Sequence, residues 1–208
     1  MGRLHVLTDF VFQQRLSHAE LAAAATAGGA DVVQFRQKTG PVRARLHAAE
    51  RTAAACHTAG IPLLINDEIA LALAVEAAGV HLGQDDLPID VARRILGPGT
   101  VIGATVTSVA QARAAEAAGA SYLGFGPVFP TQSKRNPASV KGLEGVAAVC
   151  AAVKIPVVAI AGITPERVRP ALEAGAHGVA VMTAISTAPD PEAATAAFRA
   201  EIDAWVKG

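Results

Sequence analysis

The stretch EAAGASYLGFG, residues 116–126, decides the fold. An Ala-rich segment ends in Ala-Gly, and an apolar run follows at once. Glycine just past a helix end is the usual left-handed stop. The short β-prone run after it has the character of a buried strand. The unit therefore reads helix, glycine, strand. It recurs as ATAGGADVVQF (25–35), TAGIPLLIND (58–67), EAAGVHLG (76–83) and LEAGAHGVAVM (172–182).

Extended along the chain, this pattern predicts eight strands, at 4–8, 31–36, 62–66, 80–83, 101–106, 121–126, 156–161 and 177–182. Helix-start signals follow several of them. SHAE (17–20) and SVAQ (108–111) have capping-box form. TPE (164–166) and DPE (190–192) place Pro at the first helical position behind a capping residue. Strands alternating with helices, with no composition break or linker, predict a (β/α)8 TIM barrel of the α/β class, one domain over residues 1–208. The rival is an open doubly wound sheet, disfavoured because no G-x-G-x-x-G follows the first strand.

Lys plus Arg and Asp plus Glu number 18 each among 208 residues, so the formal net charge is zero. There is no basic footprint for nucleic acid and no polybasic membrane patch. Cys56 and Cys150 sit far apart in Ala-rich stretches and read as small apolar residues, with no metal-ligand spacing. The start, MGRLHVLTDF, lacks a signal-peptide run, and no apolar stretch reaches the length of a bilayer. The expectation is a soluble protein of a reducing cytoplasm with small-molecule partners, a homo-oligomer being left open.

Chemistry in such a barrel sits at the C-terminal ends of the strands. In VVQFRQK (32–38), Gln34, Arg36 and Lys38 fall at every second position and so share one strand face. They would point into the barrel mouth. Asn66-Asp67 end strand 3, Gln84-Asp85-Asp86 follow strand 4, and Thr105 and Thr107 lie on strand 5. Thr131, Ser133 and Lys134 follow strand 6, and Met182-Thr183 end strand 8. A structural network pairing Arg36 and Lys38 with Asp67 and Asp86 is the plain alternative. Buried ion pairs rarely improve on apolar packing, so a ligand explains the concentration of polar groups better.

Arg36, Lys38 and Lys134 supply three positive charges, and Asp67 and Asp86 two negative. One divalent cation would bring the total to roughly plus three, offsetting a diphosphate of about minus three. Carboxylate oxygens suit Mg²⁺, and periodicity does not choose between Asp85 and Asp86. A second anion site is expected where Gly162 precedes a helix N-terminus and Met182-Thr183 precede the last helical region. An ordinary tight turn capped by Thr164 is the alternative there. Loop 130–141 has the length and prolines of a lid. The six histidines are discounted, His81 and His177 as hydrogen-bonded barrel residues.

Together these motifs resemble the thiamin phosphate synthase family over nearly the whole chain. QFRQK, LIND, GVHLGQDD and GPVFPTQSK match its motifs in order, and the third match favours Asp86 over Asp85 as metal ligand. The resemblance implies Mg²⁺-dependent coupling of hydroxymethylpyrimidine diphosphate with thiazole phosphate, giving thiamin phosphate and pyrophosphate. It implies that Arg36, Lys38, Asn66 and Lys134 hold the diphosphate and that Gln34 lies against the pyrimidine or diphosphate. It assigns Mg²⁺ to Asp67 and Asp86, the thiazole substrate to Thr131 and Ser133, and its phosphate to Gly162 and the Met182-Thr183 backbone.

Four positions depart from the family pattern. GATVT puts Thr105 at a usual serine and Thr107 at a usual histidine, Ala161 replaces the first glycine of Gly-Gly-Ile, and Thr183 replaces a serine. A methyl at Ala161 would crowd the phosphate if that position needs positive φ. The sibling thiazole tautomerase is disfavoured by Thr107 and by the diphosphate set. A non-catalytic thiazole phosphate binder and a sugar-phosphate isomerase using Asp9 are the other rivals.

Overall fold

The computed structural model describes residues 1–131, 133 and 139–207. Eight parallel strands close into a barrel in chain order: β1 (Leu4–Asp9), β2 (Val32–Arg36), β3 (Leu63–Asn66), β4 (Gly79–Leu82), β5 (Val101–Val106), β6 (Tyr122–Phe125), β7 (Val157–Ile160) and β8 (Gly178–Val181). The (β/α)8 expectation holds, and every strand end falls within about one residue of its expected place, inside the ordinary scatter of boundaries. The helices are α1 (His18–Ala27), α2 (Val42–Thr58), α3 (Ile69–Ala74), α4 (Ile89–Leu96), α5 (Val109–Ala117), α6 (Gly142–Ala152), α7 (Pro165–Glu173), α8 (Thr183–Ser186) and α9 (Pro191–Lys207). Among the described residues, no helix is long and apolar enough to cross a membrane.

The capping expectations are met in part. Ser17 and Glu20 form a complete capping box. Ser108 accepts from the Gln111 N–H, but Gln111 Oε1 accepts from the Thr107 N–H at 2.7 Å, so that box is open. Asp190 Oδ1 accepts from the Ala193 N–H at 3.0 Å. Thr164 makes no side-chain cap bond, a correction to the expected cap; its hydroxyl lies against Glu166, and Pro165 has no N–H to satisfy.

Four of the five units stop as expected, at Gly29, Gly60, Gly119 and Gly175, all with positive φ. The EAAGVHLG unit differs. Its left-handed residue is Glu76 (φ 51°), because α3 ends early, and Gly79 already belongs to β4. Glycine is needed there for space, since a Cβ would run into the backbone of Val101 on β5.

Two apolar shells pack strands against helices, and a third fills the barrel with Leu7, Val32, Leu64, Tyr122, Val158 and Ala180. Three polar side chains share that interior: His5, Gln34 and His81. His81 Nδ1 bonds the Tyr122 hydroxyl at 2.8 Å, and its Nε2 bonds Thr105 Oγ1 at 2.9 Å. Glycines make room for them. A Cβ at Gly103 would overlap the Tyr122 ring, and one at Gly124 would press on His81.

His5, which contacts the Gly2 carbonyl oxygen, and His18, which bonds Thr8 Oγ1 at 2.6 Å, are both buried. Burial pushes each imidazole down to about 4. The unfolded chain takes up these protons below about 6.5 while the folded chain does not, so stability falls as pH drops from about 6.5 toward 4. Denaturant unfolding at pH 5 should show about 2 kcal/mol less stability per histidine than at pH 7. His18→Asn should remove about half of that slope, and a flat profile in both proteins would contradict the buried neutral state.

Candidate active site

Two adjoining cavities, about 610 and 310 Å³, open among the C-terminal ends of the strands. They share a partition made by Leu7, Arg36, Ile160 and Ala180. Gln34, Arg36 and Lys38 all line the smaller one, as their alternation along β2 requires.

In the smaller cavity, Lys38 Nζ lies 2.7 Å from Asp67 Oδ2. Asp67 is held in the left-handed region (φ 64°), and its N–H donates to the His81 carbonyl at 2.9 Å. A non-glycine residue in this region carries strain that tends to persist at functional sites. Asp86 Oδ2 accepts from the Gly83 N–H at 2.6 Å and faces Asp67. Burial pushes the Asp86 carboxyl up from its ordinary value, and the Asp67 carboxylate beside it adds to the shift. Asp85, also on the wall, is exposed.

Two carboxylates held together, with a backbone donor on one side and an ammonium on the other, fit a hard cation that takes one or two carboxylates. Both donors are carboxylate oxygens, the ligand type a hard cation such as Mg²⁺ takes.

Asn66 and Thr105 complete this wall. Thr107 does not join it; its hydroxyl and N–H both bond Gln111 Oε1 at the start of α5. Arg36 is the main surprise. Its ion-pair partner is Asp9, the last residue of β1, while the Asp67 carboxylate acts on its charge from farther away. The charge sum made from sequence therefore omits one negative group.

The larger cavity is built by the loops after β6, β7 and β8. Ala161 and Gly162 both have positive φ, 79° and 67°. A Cβ at Gly162 would lie 2.6 Å from the Pro130 carbonyl oxygen, so space and conformation both demand glycine. Thr131 Oγ1 bonds Ser133 Oγ at 3.1 Å, and Ser133 Oγ bonds Thr183 Oγ1 at 3.1 Å, tying loop 6 to the start of α8. Met182 lines the cavity beside Thr183. Lys134 lies outside the described residues, as does half of the lid expected at 130–141.

Ala161 carries the positive φ that its substitution for glycine made worrying. A left-handed L-residue costs roughly 1–2 kcal/mol, against about 0.5–1 kcal/mol of extra chain entropy for glycine. Ala161→Gly should raise the melting temperature by about 1–3 °C. A lower melting temperature would mean that the alanine methyl contributes packing that outweighs the strain.

Sequence reasoning missed Tyr122 and Arg167 as site residues. His81 is the hydrogen-bonded barrel histidine that was expected, and Asp9, expected only as the base of a rival isomerase, is instead paired with Arg36. Arg167 lines the larger cavity, donates to the Gly162 carbonyl at 2.7 Å and stacks over Phe129 at 4.6 Å. Its signal was a cation in the first turn of the helix after GIT.

A closed parallel barrel with cations, paired carboxylates and a glycine-built loop converging at its strand ends defines a (β/α)8 enzyme. The family model described as thiamine monophosphate synthase matches residues 6–185. A thiamine-phosphate synthase of Salinibacter ruber is 60% identical over 203 residues, 98% of this chain and 89% of the relative. One of Natronomonas pharaonis is 46% identical, covering 86% of this chain and 85% of the relative. The solved thiamine phosphate pyrophosphorylase of Pyrococcus furiosus superposes with a TM-score of 0.89 at 38% identity, covering 97% of this chain and 96% of that one. The chain belongs to the thiamine monophosphate synthase family and is a transferase of thiamine biosynthesis.

Proposed function

We propose that this thiamine-phosphate synthase couples hydroxymethylpyrimidine diphosphate with thiazole phosphate, using Mg²⁺, to give thiamin phosphate and pyrophosphate. The observation that carries the reading is the shared partition: a cavity with Lys38 and paired carboxylates meets a cavity of glycine and hydroxyl groups at Arg36.

Arg36, Lys38 and Asn66 hold the diphosphate, with Lys134 assigned the same task from its motif. Thr105 offers its hydroxyl to the same group. Asp67 and Asp86 hold Mg²⁺, which when bound supplies positive charge to the leaving diphosphate. Gln34 faces the pyrimidine, together with His81 and Tyr122 deeper in the cavity. Thr131 and Ser133 contact the thiazole, Gly162 and the Met182-Thr183 backbone cradle its phosphate, and Arg167 supplies a counter-charge.

The C–O bond between the pyrimidine methylene and the diphosphate breaks, its electron pair leaving on the diphosphate oxygen. The thiazole nitrogen lone pair forms the new C–N bond. No proton moves in this exchange. The side chains therefore act by orientation and by preorganised charge where negative charge grows.

The rivals fit less well. Thr107, at the tautomerase histidine position, is engaged with Gln111. Asp9 lines neither cavity and is tied to Arg36, which removes the isomerase base. The test is to mix the purified protein with Mg²⁺ and both substrates and assay both products. Thiamin phosphate and pyrophosphate should appear in equal amounts. Tight binding of thiazole phosphate without product would favour the non-catalytic binder.

A further inference from the structure

Arg36 is, among the described residues, the one cation common to both cavities. What fixes it there is Asp9. The two residues end adjacent strands and are register partners, so their side chains leave the sheet on the same face. Asp9 is 2% exposed and lines neither cavity, so it lies behind the guanidinium and out of reach of substrate.

The carboxylate is itself immobilised. Asp9 Oδ1 accepts from the Val11 N–H at 2.8 Å. The Asp9 N–H donates to Gln13 Oε1 at 2.8 Å, and the Asp9 carbonyl accepts from the Phe12 and Gln13 N–H groups. Asp9 Oδ2 then meets Nη1 of Arg36. A guanidinium has five N–H donors in a rigid fork. Pinning one nitrogen from behind leaves the others to face the cavities.

We infer that Asp9 is a positioning residue that anchors the Arg36 guanidinium on the partition, so that one cation engages the anions of both substrates. The inference rests on the function proposed above. A buried ion pair seldom gains stability over apolar packing. A purely architectural carboxylate at this position therefore has little to recommend it, whereas a cation aimed between two anions needs one.

The test uses Asp9→Asn, which keeps the Oδ1 acceptor and the shape but removes the charge. With wild-type melting behaviour, it should lower kcat/KM for the diphosphate substrate by about 10- to 100-fold, the range for loss of a group that orients a ligand. The effect should also depend on Arg36. Asp9→Asn combined with Arg36→Ala should lose no more activity than Arg36→Ala alone, as expected when two residues act as one unit. Additive losses, or an Asp9→Asn enzyme as active as wild type, would overturn the inference.

If Asp9→Asn does not fold, Asp9→Glu decides: it retains the charge but displaces the guanidinium, and full activity in it would refute positioning. Calorimetry with inorganic pyrophosphate and Mg²⁺ separates this inference from the function it rests on. A wild-type protein that makes no thiamin phosphate would defeat the functional reading. Weaker pyrophosphate binding by Asp9→Asn in that same protein would still support the role of Asp9, and unchanged binding would remove it.

Discussion

Stripped of divalent cations by EDTA, the protein should lose thiamin phosphate formation by about 10³-fold or more, the scale of several kcal/mol of transition-state charge stabilisation, and added Mg²⁺ should restore it. The reason is the sign of the site. Arg36 and Lys38 bring two positive charges, but Asp9, Asp67 and Asp86 bring three negative ones. Even with Lys134 counted, the protein alone offers no net attraction to a diphosphate of roughly minus three. A divalent ion reverses this. The raised pKa of Asp86 adds a second expectation: proton and metal compete for the same carboxylate, so more Mg²⁺ should be needed for half-maximal rate as pH falls. Turnover indifferent to EDTA would remove the metal from the mechanism.

Lys38→Ala should lower kcat by at least about 10²-fold, the cost of losing one preorganised stabilising group. The ammonium has two neighbours to serve, Asp67 at 2.7 Å and the leaving diphosphate. Its loss leaves the paired carboxylates more negative, so Mg²⁺ affinity should rise while the rate falls. That opposite movement separates loss of diphosphate stabilisation from simple collapse of the metal site, which would lower both. Lys38→Arg should rescue only in part, because a planar fork does not reproduce a compact point charge. Rate assays and Mg²⁺ titration on the same preparations would decide it. An unchanged kcat would take Lys38 out of the chemistry.

Most strands were legible because they are announced locally, five of them by a helix end, a turn residue and a short apolar run. The exception is instructive. Gly79 looks in sequence like every other stop, yet it is a strand residue pressed against Val101 of the next strand, a contact that no local pattern records. The site divides the same way. Gln34, Arg36 and Lys38 were legible as a set because alternation along one strand needs no knowledge of its neighbours. The pairing of Arg36 with Asp9 was not, because it depends on inter-strand register. The bond from Ser133 to Thr183 spans 50 residues and could not be seen from spacing either. A hydrogen-bonded His81 in the barrel was expected, but the room made for it was not legible, because Tyr122 and His81 occupy the missing side chains of Gly103 and Gly124 on other strands.

The common wall between the chambers bears on inhibitor design. A compound carrying one anionic arm on each side of Arg36, joined over the partition by a short stiff tether, would make its second attachment an intramolecular event. Its potency should then exceed that of either arm by orders of magnitude without any new contact, provided the tether matches the span.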